Sequence, residues 1–276
     1  HDAQDLWGQD VRSTDAAIKK EVGDDRVSIL SIGPAGENLV LFAAVMCNIY
    51  RNAARGGLGA VMGYKKLKAI SVRGTGTLEV AKPNEFRESA LRARKRVRED
   101  EYSWRRKYLF STPRGLLPAN SADTNPTRNF QVGRIDDAYL LGGEYLREKY
   151  WTRETGCSAC VMSCGKYYEI DNDPYKGSFS EGPEWETVNA LGARIGSVDI
   201  QSVLKANELC NIYGLDTDST GGVIAFAMEL YQRGLISKKD SDGLELGWGN
   251  YSAVLELIRK IAFREGFGDL LADGAR

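Results

Sequence analysis

Three of the chain's five cysteines, Cys157, Cys160 and Cys164, lie within eight residues of one another. Thiolates at Cys-x2-Cys-x3-Cys spacing on a glycine-flanked loop can converge on one metal centre, and sulfur ligands favour an iron–sulfur cluster or zinc. A zinc site would need a fourth nitrogen or sulfur ligand, and the only histidine is His1. The spacing therefore favours an iron–sulfur cluster over zinc and over a chance grouping of buried thiols.

The two remaining cysteines, Cys47 and Cys210, lie in apolar stretches that are typical of buried structural thiols. A four-iron cluster usually has four thiolate ligands. We therefore expect the fourth cluster ligand to lie outside this chain.

A glycine-rich stretch, residues 55–63, is flanked by Arg51, Arg55 and Lys65. Glycines allow the backbone to approach a phosphate or a flat cofactor, and the basic side chains supply the opposite charge. The stretch matches neither the Walker A pattern nor a dinucleotide-binding fingerprint. Taken alone, it is compatible equally with a cofactor loop and with a tight turn that binds nothing.

Two further polar stretches could do chemistry. Residues 181–186 hold three carboxylates beside a tryptophan, which are either solvated charges at a helix start or include one buried general acid or base with a raised pKa. Residues 211–222 hold aspartates and hydroxyls that could cap a helix, with Asp218 or Ser219 as the N-cap, or could bind a heterocycle rich in N–H donors.

The composition limits the classes of partner. The chain of 276 residues has a formal net charge of -1, which gives no whole-chain electrostatic case for nucleic acid or an anionic membrane. Its longest apolar run, residues 39–47, is too short to span a bilayer. The odd, clustered cysteines suit a reducing compartment, so we expect a cytoplasmic protein with no nucleic acid and no membrane partner.

The secondary structure predicted to position these residues changes near residue 80 from mainly strands to mainly helices. Before it, apolar runs at residues 26–32, 38–49 and 68–73 predict a β-rich part. After it, a basic amphipathic helix is predicted at 86–97, a long irregular connection at 111–132, and helices at 185–192, 200–213, 221–233 and 251–265. Asp199 is the expected N-cap of the helix at 200–213, and Gly214, Gly234 and Gly266 are the expected C-terminal caps. The pattern predicts an α+β fold.

Four of these stretches stand in a specific order: residues 51–70, 157–164, 181–186 and 207–222. Together they resemble the tungsten-pterin aldehyde ferredoxin oxidoreductase family. The resemblance implies a three-domain protein of about twice this length, in which a β-rich first domain cradles two pterins and two helical domains close over them. Residues 1–80 would then be the C-terminal part of the first domain, and residues 81–276 the helical second domain that carries the iron–sulfur ligands.

The resemblance also implies the cofactor ligands. Cys157, Cys160 and Cys164 would bind a 4Fe-4S cluster, with the fourth cysteine supplied by the absent third domain. Asp216 matches the second acid of the family's Asp-x-x-Gly-Leu-Asp pterin motif, and Asn211 replaces the first. The segment that contacts the pterin phosphates and their bridging Mg²⁺ is matched by Arg51, Asn52, Arg55, Gly56 and Gly57.

Glu186 matches the carboxylate close to tungsten, where it would take a proton as an aldehyde is oxidised to a carboxylic acid. Two electrons would leave singly through the cluster to ferredoxin. No residue distinguishes tungsten from molybdenum, so molybdenum is possible at the bis-pterin centre. A homodimer or an additional electron-transfer subunit is also possible.

Two other functions stay open. A benzoyl-CoA-reductase-like tungsten subunit resembles this architecture but has histidine near the metal, and no histidine follows His1 here. From another class, a pterin-free iron–sulfur electron-transfer module would explain the cysteines alone, and metal analysis would distinguish it. The basic helix at 87–98, with Arg105 and Arg106, is either a solvated face or a docking face for acidic ferredoxin.

Overall fold

The computed structural model describes residues 1–275, with every side chain in that range except that of Ser103. Its first part forms four short strands interleaved with three helices. The elements are α1 (Val11–Val22), β1 (Ser28–Ser31), α2 (Pro34–Glu37), β2 (Val45–Cys47), β3 (Arg51–Ala53), α3 (Leu58–Tyr64) and β4 (Ala69–Val72). The strands form one antiparallel sheet in the order β3-β2-β1-β4, with Leu30 opposite both Cys47 and Ile70.

The sequence pattern did not indicate α1, because only two of its four buried side chains, Val11 and Ile18, are apolar. Its ends are nevertheless well defined. Asp10 caps the N-terminus by accepting the Ser13 N–H at 2.8 Å, and Gly23 ends the helix in the left-handed region. Buried polar side chains thus hid the helical pattern of α1, although the sequence contains residues that cap both of its ends.

The second part is mainly helical and contains a three-stranded antiparallel sheet. Helices α4 (Pro83–Glu99), α5 (Arg106–Phe110), α6 (Leu116–Ser121) and α7 (Gly143–Lys149) precede the sheet, with a π-helical turn at Glu101–Arg105. Strands β5 (Trp151–Thr155), β6 (Gly165–Glu169) and β7 (Phe179–Glu181) pair in that order. Helices α8 (Trp185–Leu191), α9 (Ile200–Tyr213), α10 (Thr217–Gln232), α11 (Tyr251–Phe263) and α12 (Phe267–Leu271) complete the fold.

The structure confirms the α+β class and corrects several boundaries. The connection at 111–132 is not wholly irregular, since it contains α6 and a 3-10 turn at Thr112–Gly115. Helix α10 begins at Thr217 rather than at residue 221, and its N-cap is Asp216, not Asp218 or Ser219. Gly266 starts α12 rather than capping α11, whose left-handed C-cap is Arg264. Asp199 and Gly214 cap α9 as predicted.

The main hydrophobic core lies among α8 to α12 and continues into the first part of the chain. Buried residues from the helices, such as Val188, Leu204 and Ile258, belong to the same cluster as Val40 and Phe42. Backbone hydrogen bonds join the two parts as well: the Ala44 N–H donates to the Gly214 carbonyl at 2.8 Å, and the Asp216 N–H donates to the Phe42 carbonyl at 3.1 Å. The domain division near residue 80 stays a prediction.

The chain crosses itself closely at Gly33, which lies against the end of α9. A Cβ atom at Gly33 would lie 2.4 Å from the Tyr213 carbonyl oxygen, so only glycine fits there. Ala43 forms an isolated antiparallel bridge with Leu215 beside this crossing. The segment before Arg51 is therefore held against the loop before Asp216. Of the helices in the described range, none combines the length and the apolar character needed to cross a bilayer.

Candidate functional site

A polar cleft of about 330 Å³ lies where the two parts of the chain meet. One wall comes from the start of β3, and the other from the loop after β7 and from the helices that follow it. The lining residues are Tyr50, Arg51, Asn52, Glu181, Gly182, Glu184, Thr187, Asn207, Asn211 and Thr217. The structure thus brings together three residues predicted separately, Arg51, Asn52 and Asn211.

Arg51 and Glu181 form an ion pair across this cleft. Burial raises the pKa of Glu181, the nearby Glu184 charge raises it further, and the Arg51 guanidinium opposes both. Gly165 allows the approach, because a Cβ atom there would lie 2.6 Å from Arg51 Nη2. The pair therefore connects the cleft to the first residue after Cys164.

The three carboxylates of residues 181–186 occupy different environments. Glu181 is buried, Glu184 is half-buried and Glu186 is exposed on the first turn of α8, outside the cleft lining. Glu184 accepts a short hydrogen bond from Thr112 Oγ1, and the same hydroxyl accepts the Trp185 N–H at 2.8 Å. The buried carboxylate with a raised pKa is therefore Glu181.

The side chains of Asn211 and Asp216 make different hydrogen bonds. Asn211 donates from Nδ2 to Ser180 Oγ at 2.9 Å, and its Oδ1 accepts no hydrogen bond from the described residues. Asp216 is the N-cap of α10, where Oδ2 accepts the Ser219 N–H at 3.1 Å and the Ser219 hydroxyl at 2.5 Å. Asn211 can thus offer a carbonyl oxygen to the cleft, while one carboxylate oxygen of Asp216 is committed to the helix.

A second cleft, of about 630 Å³, lies at the first turns of α10, where Asp218, Ser219 and Gly222 line it. Arg55 and Arg194 both pair with Asp218 there, at 2.6 Å and 3.0 Å, and Arg55 Nε lies 3.9 Å from Asp216 Oδ2. Arg194 Nε is buried and has no hydrogen-bond partner within residues 1–275. Gly56 lines this cleft. Of the predicted cofactor residues, the first cleft thus holds Arg51, Asn52 and Asn211 and the second holds Gly56, whereas Arg55, Gly57 and Asp216 line neither.

Gly57 follows Gly56 in the turn before α3 and is the N-cap of that helix. Its backbone is left-handed, with φ at 68°, and a Cβ atom there would lie 2.4 Å from the Leu41 carbonyl oxygen. Gly56 also has a positive φ, of 98°, but a Cβ atom there would meet nothing within 4 Å. The turn requires glycine at both positions for its conformation, and at Gly57 for space as well.

The three clustered cysteines lie on the loop between β5 and β6. Cys157 and Cys160 are exposed and Cys164 is half-buried. The Cys160 N–H donates to the Cys157 carbonyl at 3.0 Å, and Trp104 Nε1 donates to the Val161 carbonyl at 3.1 Å. Burial raises the pKa of Cys164, with the Glu184 charge adding to the rise and Lys107 opposing it.

The donor set fits an iron–sulfur cluster in its chemistry but is incomplete. Within residues 1–275, no group of three or more His, Cys, Asp or Glu side chains is arranged to hold a metal ion. Cys210 is fully buried in the core and Cys47 is half-buried in β2. Three thiols on one short loop have the chemistry of iron–sulfur ligands, but within the described residues they are not arranged around a metal ion.

Several residues at the site escaped sequence reasoning. Tyr50, Thr187 and Thr217 line the first cleft, Thr112 lies in the connection at 111–132 without an assigned role, and Arg194 lies outside every stretch singled out above. Glu181 and Asn207 do lie in those stretches, but neither was assigned a role. Only folding brings Thr112 and Arg194 to the site, so no local signal marks them.

Comparisons with known proteins agree with this geometry. The family model described as aldehyde ferredoxin oxidoreductase, N-terminal domain, matches residues 1–74. The model described as aldehyde ferredoxin oxidoreductase, domains 2 and 3, matches residues 88–276. Matching segments therefore account for nearly the whole chain.

Individual relatives point the same way. The tungsten-containing aldehyde ferredoxin oxidoreductases of Pyrococcus furiosus and Pyrococcus abyssi are 44% and 45% identical over 99% of this chain, which covers 45% of either protein. An aliphatic sulfonate oxidoreductase, WOR-like subunit, of Pyrococcus furiosus is 31% identical.

Among solved structures, the active-site complex BamBC of benzoyl coenzyme A reductase, bound to 1,5-dienoyl-CoA, matches with a TM-score of 0.82 and 30% identity. The match covers 99% of this chain and 42% of that one. The chain thus spans about half the length of the relatives it matches. It belongs to the aldehyde ferredoxin oxidoreductase family.

Proposed function

We propose that this chain forms part of an enzyme that oxidises an aldehyde to a carboxylic acid at a tungsten, or molybdenum, bis-pterin centre. The observation that carries the proposal is the cleft that unites Arg51 and Asn52 with Asn211. These residues are 160 or so positions apart in sequence, yet they line one polar cavity beside the cysteine loop. The 44–45% identity to tungsten-containing aldehyde ferredoxin oxidoreductases supports the same reaction.

The two clefts have the chemistry that a pterin with a phosphate tail requires. Arg51 and Arg55 would bind phosphate oxygens, and the backbone at Gly56 and Gly57 allows close approach. Mg²⁺ would bridge the phosphates of the two pterins. The unpartnered Nε of buried Arg194 supports an anionic ligand in the second cleft.

Pterin rings present N–H donors, for which the site offers acceptors. Asn211 Oδ1 has no donor among the described residues, and Asn52 lines the same cleft. Asp216 would accept from a pterin through the carboxylate oxygen that does not cap α10. The replacement of an acid by Asn211 therefore retains an acceptor while removing a charge.

When bound, the tungsten-pterin group supplies the two-electron redox chemistry. The overall reaction converts an aldehyde and one water into a carboxylate, three protons and two electrons. Glu186 would take one of these protons on its carboxylate, and its exposed position on the first turn of α8 leaves it free of other partners in the described range. Glu181 and Arg51 would hold the wall of the first cleft, which Glu186 does not line.

The two electrons would leave one at a time through a 4Fe-4S cluster to ferredoxin. Cys157, Cys160 and Cys164 would supply three of its ligands, and the fourth would come from outside the described residues. Residues 1–80 would then be the end of a pterin-cradling first domain, and residues 81–276 a second domain that carries the cluster. The free thiols and such a cluster suit the cytoplasm.

The test is metal analysis and turnover of the full-length protein, purified without oxygen. We expect tungsten or molybdenum together with about four iron atoms per chain, and reduction of benzyl viologen when aldehydes of varied chain length are added. Iron without tungsten or molybdenum would instead identify a pterin-free electron-transfer module. Absence of turnover with every aldehyde would contradict the proposed reaction.

The structural match to BamBC favours a second candidate, a benzoyl-CoA-reductase-like subunit. Its 30% identity is well below the 44–45% shared with the aldehyde enzymes. The same preparation distinguishes the two, because this candidate predicts electron transfer between a reduced viologen and benzoyl-CoA and no oxidation of aldehydes.

A further inference from the structure

Helix α4 lies at the surface, with Ala90 and Val97 half-buried and its other residues exposed. None of the residues of Pro83–Glu99 is buried, and the segment before it, residues 71–82, is also exposed. The described residues therefore cover only a small part of this helix, and most of its surface within this chain is open to a partner.

Basic side chains outnumber acidic side chains on α4. The helix carries six basic side chains and three acidic ones: Arg87, Arg92, Arg94, Lys95, Arg96 and Arg98 against Glu85, Glu88 and Glu99. Arg92 pairs with Glu88 at 3.7 Å and Lys95 with Glu99 at 3.6 Å. Within the described residues, Arg94 and Arg98 form no ion pair with an acidic side chain.

The arginines border an apolar stripe. Phe86, Ala90, Ala93 and Val97 follow one another at spacings of four, three and four residues, which places them on one side of an α-helix. At about 100° per residue, Arg92 and Arg96 lie along one edge of this stripe, and Arg94 and Arg98 along the other. A narrow apolar centre with an arginine rim is typical of a protein–protein interface.

The stripe lies beside the cysteine loop. A cleft of about 650 Å³ separates them, and it is lined by Arg92, Ala93, Arg96 and Val97 of α4, by Asp100 directly after the helix and by Met162 of the loop. Met162 stands between Cys160 and Cys164 in the sequence. A partner bound to α4 would therefore also touch the loop that holds the proposed cluster ligands.

We infer that α4 and Met162 form the docking surface for a small acidic iron–sulfur protein that accepts electrons from the cluster. This inference rests on the proposed function for the presence of the cluster. The charge of the surface selects an acidic occupant, because burying unpaired arginines without carboxylates would be strongly unfavourable. At each encounter the reduced cluster loses one electron and the oxidised partner gains it, so two encounters follow each aldehyde oxidised.

The experiment compares full-length holoenzymes with the charge of α4 reversed. In Arg96→Glu/Arg98→Glu, one residue changes on each edge of the stripe. The matched control is Lys238→Glu/Lys239→Glu, which makes the same charge change at exposed positions in the loop after α10. Neither pair belongs to the proposed catalytic or cofactor-binding residues.

We expect the second-order rate constant for an acidic ferredoxin to fall about tenfold at low ionic strength in the α4 variant, and its salt dependence to flatten. Turnover with benzyl viologen should be unchanged, and the control should match wild type with both acceptors. An unchanged ferredoxin rate in the α4 variant, or an equal fall in the control, would overturn the inference.

Hydrogen exchange of the wild-type enzyme gives an independent reading. We expect residues 83–99 to exchange quickly in the free enzyme and more slowly with ferredoxin present. Slow exchange in the free enzyme would mean that the rest of the protein covers α4, and would overturn the inference. Absence of aldehyde turnover with viologen would instead contradict the proposed function, while protection of α4 by ferredoxin would still establish docking.

Discussion

At the scale of single residues, the acidic stretch after β7 separates into one buried and one exposed carboxylate. Glu181 is paired with Arg51 inside the cleft, whereas Glu186 projects from the first turn of α8. A base that must take protons and release them to water benefits from solvent access. A carboxylate bound to an arginine is better suited to fixing the position of that arginine.

We predict that Glu186→Gln lowers kcat for aldehyde oxidation about a hundredfold or more, because an amide cannot take the proton. Tungsten and iron contents should be unchanged. In Glu181→Gln, we expect kcat per bound tungsten within about threefold of wild type, but weaker retention of the cofactor, because Arg51 loses its partner. Steady-state kinetics with metal analysis would check both variants, and the opposite pattern would assign the proton role to Glu181.

The glycine turn at residues 56 and 57 offers a second test at this scale. We predict that Gly56→Ala lowers the free energy of unfolding by about 1 kcal/mol through its positive φ alone. Gly57→Ala should cost more and lower the tungsten content, because the new Cβ atom would displace the Leu41 backbone. Urea unfolding and metal analysis would measure this, and equal effects of the two substitutions would contradict it.

At the scale of elements, a side chain that caps a helix can also belong to the proposed cofactor site. Asp216 both begins α10 and matches a pterin-binding acid, so its removal confounds stability with cofactor binding. Asp199 is the matched control, because it caps α9 through Ser202 in the same way but does not match a pterin-binding acid.

We predict that Asp216→Ala and Asp199→Ala each lower the free energy of unfolding of the cofactor-free protein by about 1 kcal/mol. Only Asp216→Ala should also lower the tungsten content of the holoprotein. In Asp216→Asn the cap should be kept, since asparagine is an equally good N-cap. Equal tungsten contents in both alanine variants would assign Asp216 a purely structural role.

Hydrogen bonds between Asp242 and the last two helices, α11 and α12, predict how the stability of the fold depends on pH. Asp242 Oδ2 accepts from Lys260 Nζ at 2.8 Å and from the Phe267 N–H at 2.7 Å. These hydrogen bonds lower the pKa of Asp242 below its ordinary value of 3.8. The stabilisation is therefore complete above the ordinary pKa and is lost as the pH falls through the folded-state value.

We predict that Asp242→Asn lowers Tm by about 2 °C at pH 7 and that the difference from wild type shrinks as the pH approaches 3. Thermal melts between pH 3 and pH 7 would measure it. Asp136→Asn is the control, since Asp136 is exposed and has no hydrogen-bond partner among the described residues. A difference independent of pH would show that the charge of Asp242 is not responsible.

Sequence reasoning succeeded where local chemistry is strong. The caps at Asp199 and Gly214 and the helix α9 followed from N-cap, C-cap and periodicity rules. It failed at α1, where polar side chains are buried, and at the start of α10, where Asp216 competes with Asp218 and Ser219 as a cap. The contacts of Thr112 with Glu184 and of Arg194 with Asp218 depend on tertiary packing, which no local pattern encodes.

At the scale of the whole molecule, one core and many hydrogen bonds join the segments before and after residue 80. The Leu41 N–H donates to the Ala272 carbonyl at 3.0 Å, and Asn38 Nδ2 donates to the Ala262 carbonyl at 2.9 Å. The connecting segment, residues 73–82, contains no helix or strand and is exposed. Covalent continuity there should matter little to the fold.

We predict that brief trypsin treatment of this chain cuts first after Arg73, since the bond after Lys82 precedes a proline and resists trypsin, and that the two fragments elute together in gel filtration. They should separate only in denaturant, because the contacts between them bury part of the core. Fragments that separate without denaturant would show that the two parts are independent domains.

The crossing of Gly33 over the end of α9 affects the thermodynamics of cofactor binding. It holds the segment before Arg51 against the loop that leads to Asp216, so both sides of the site are fixed before a ligand arrives. A fixed site loses little conformational entropy when it binds. Loosening this crossing should therefore weaken cofactor binding through a less favourable entropy, with the binding enthalpy almost unchanged.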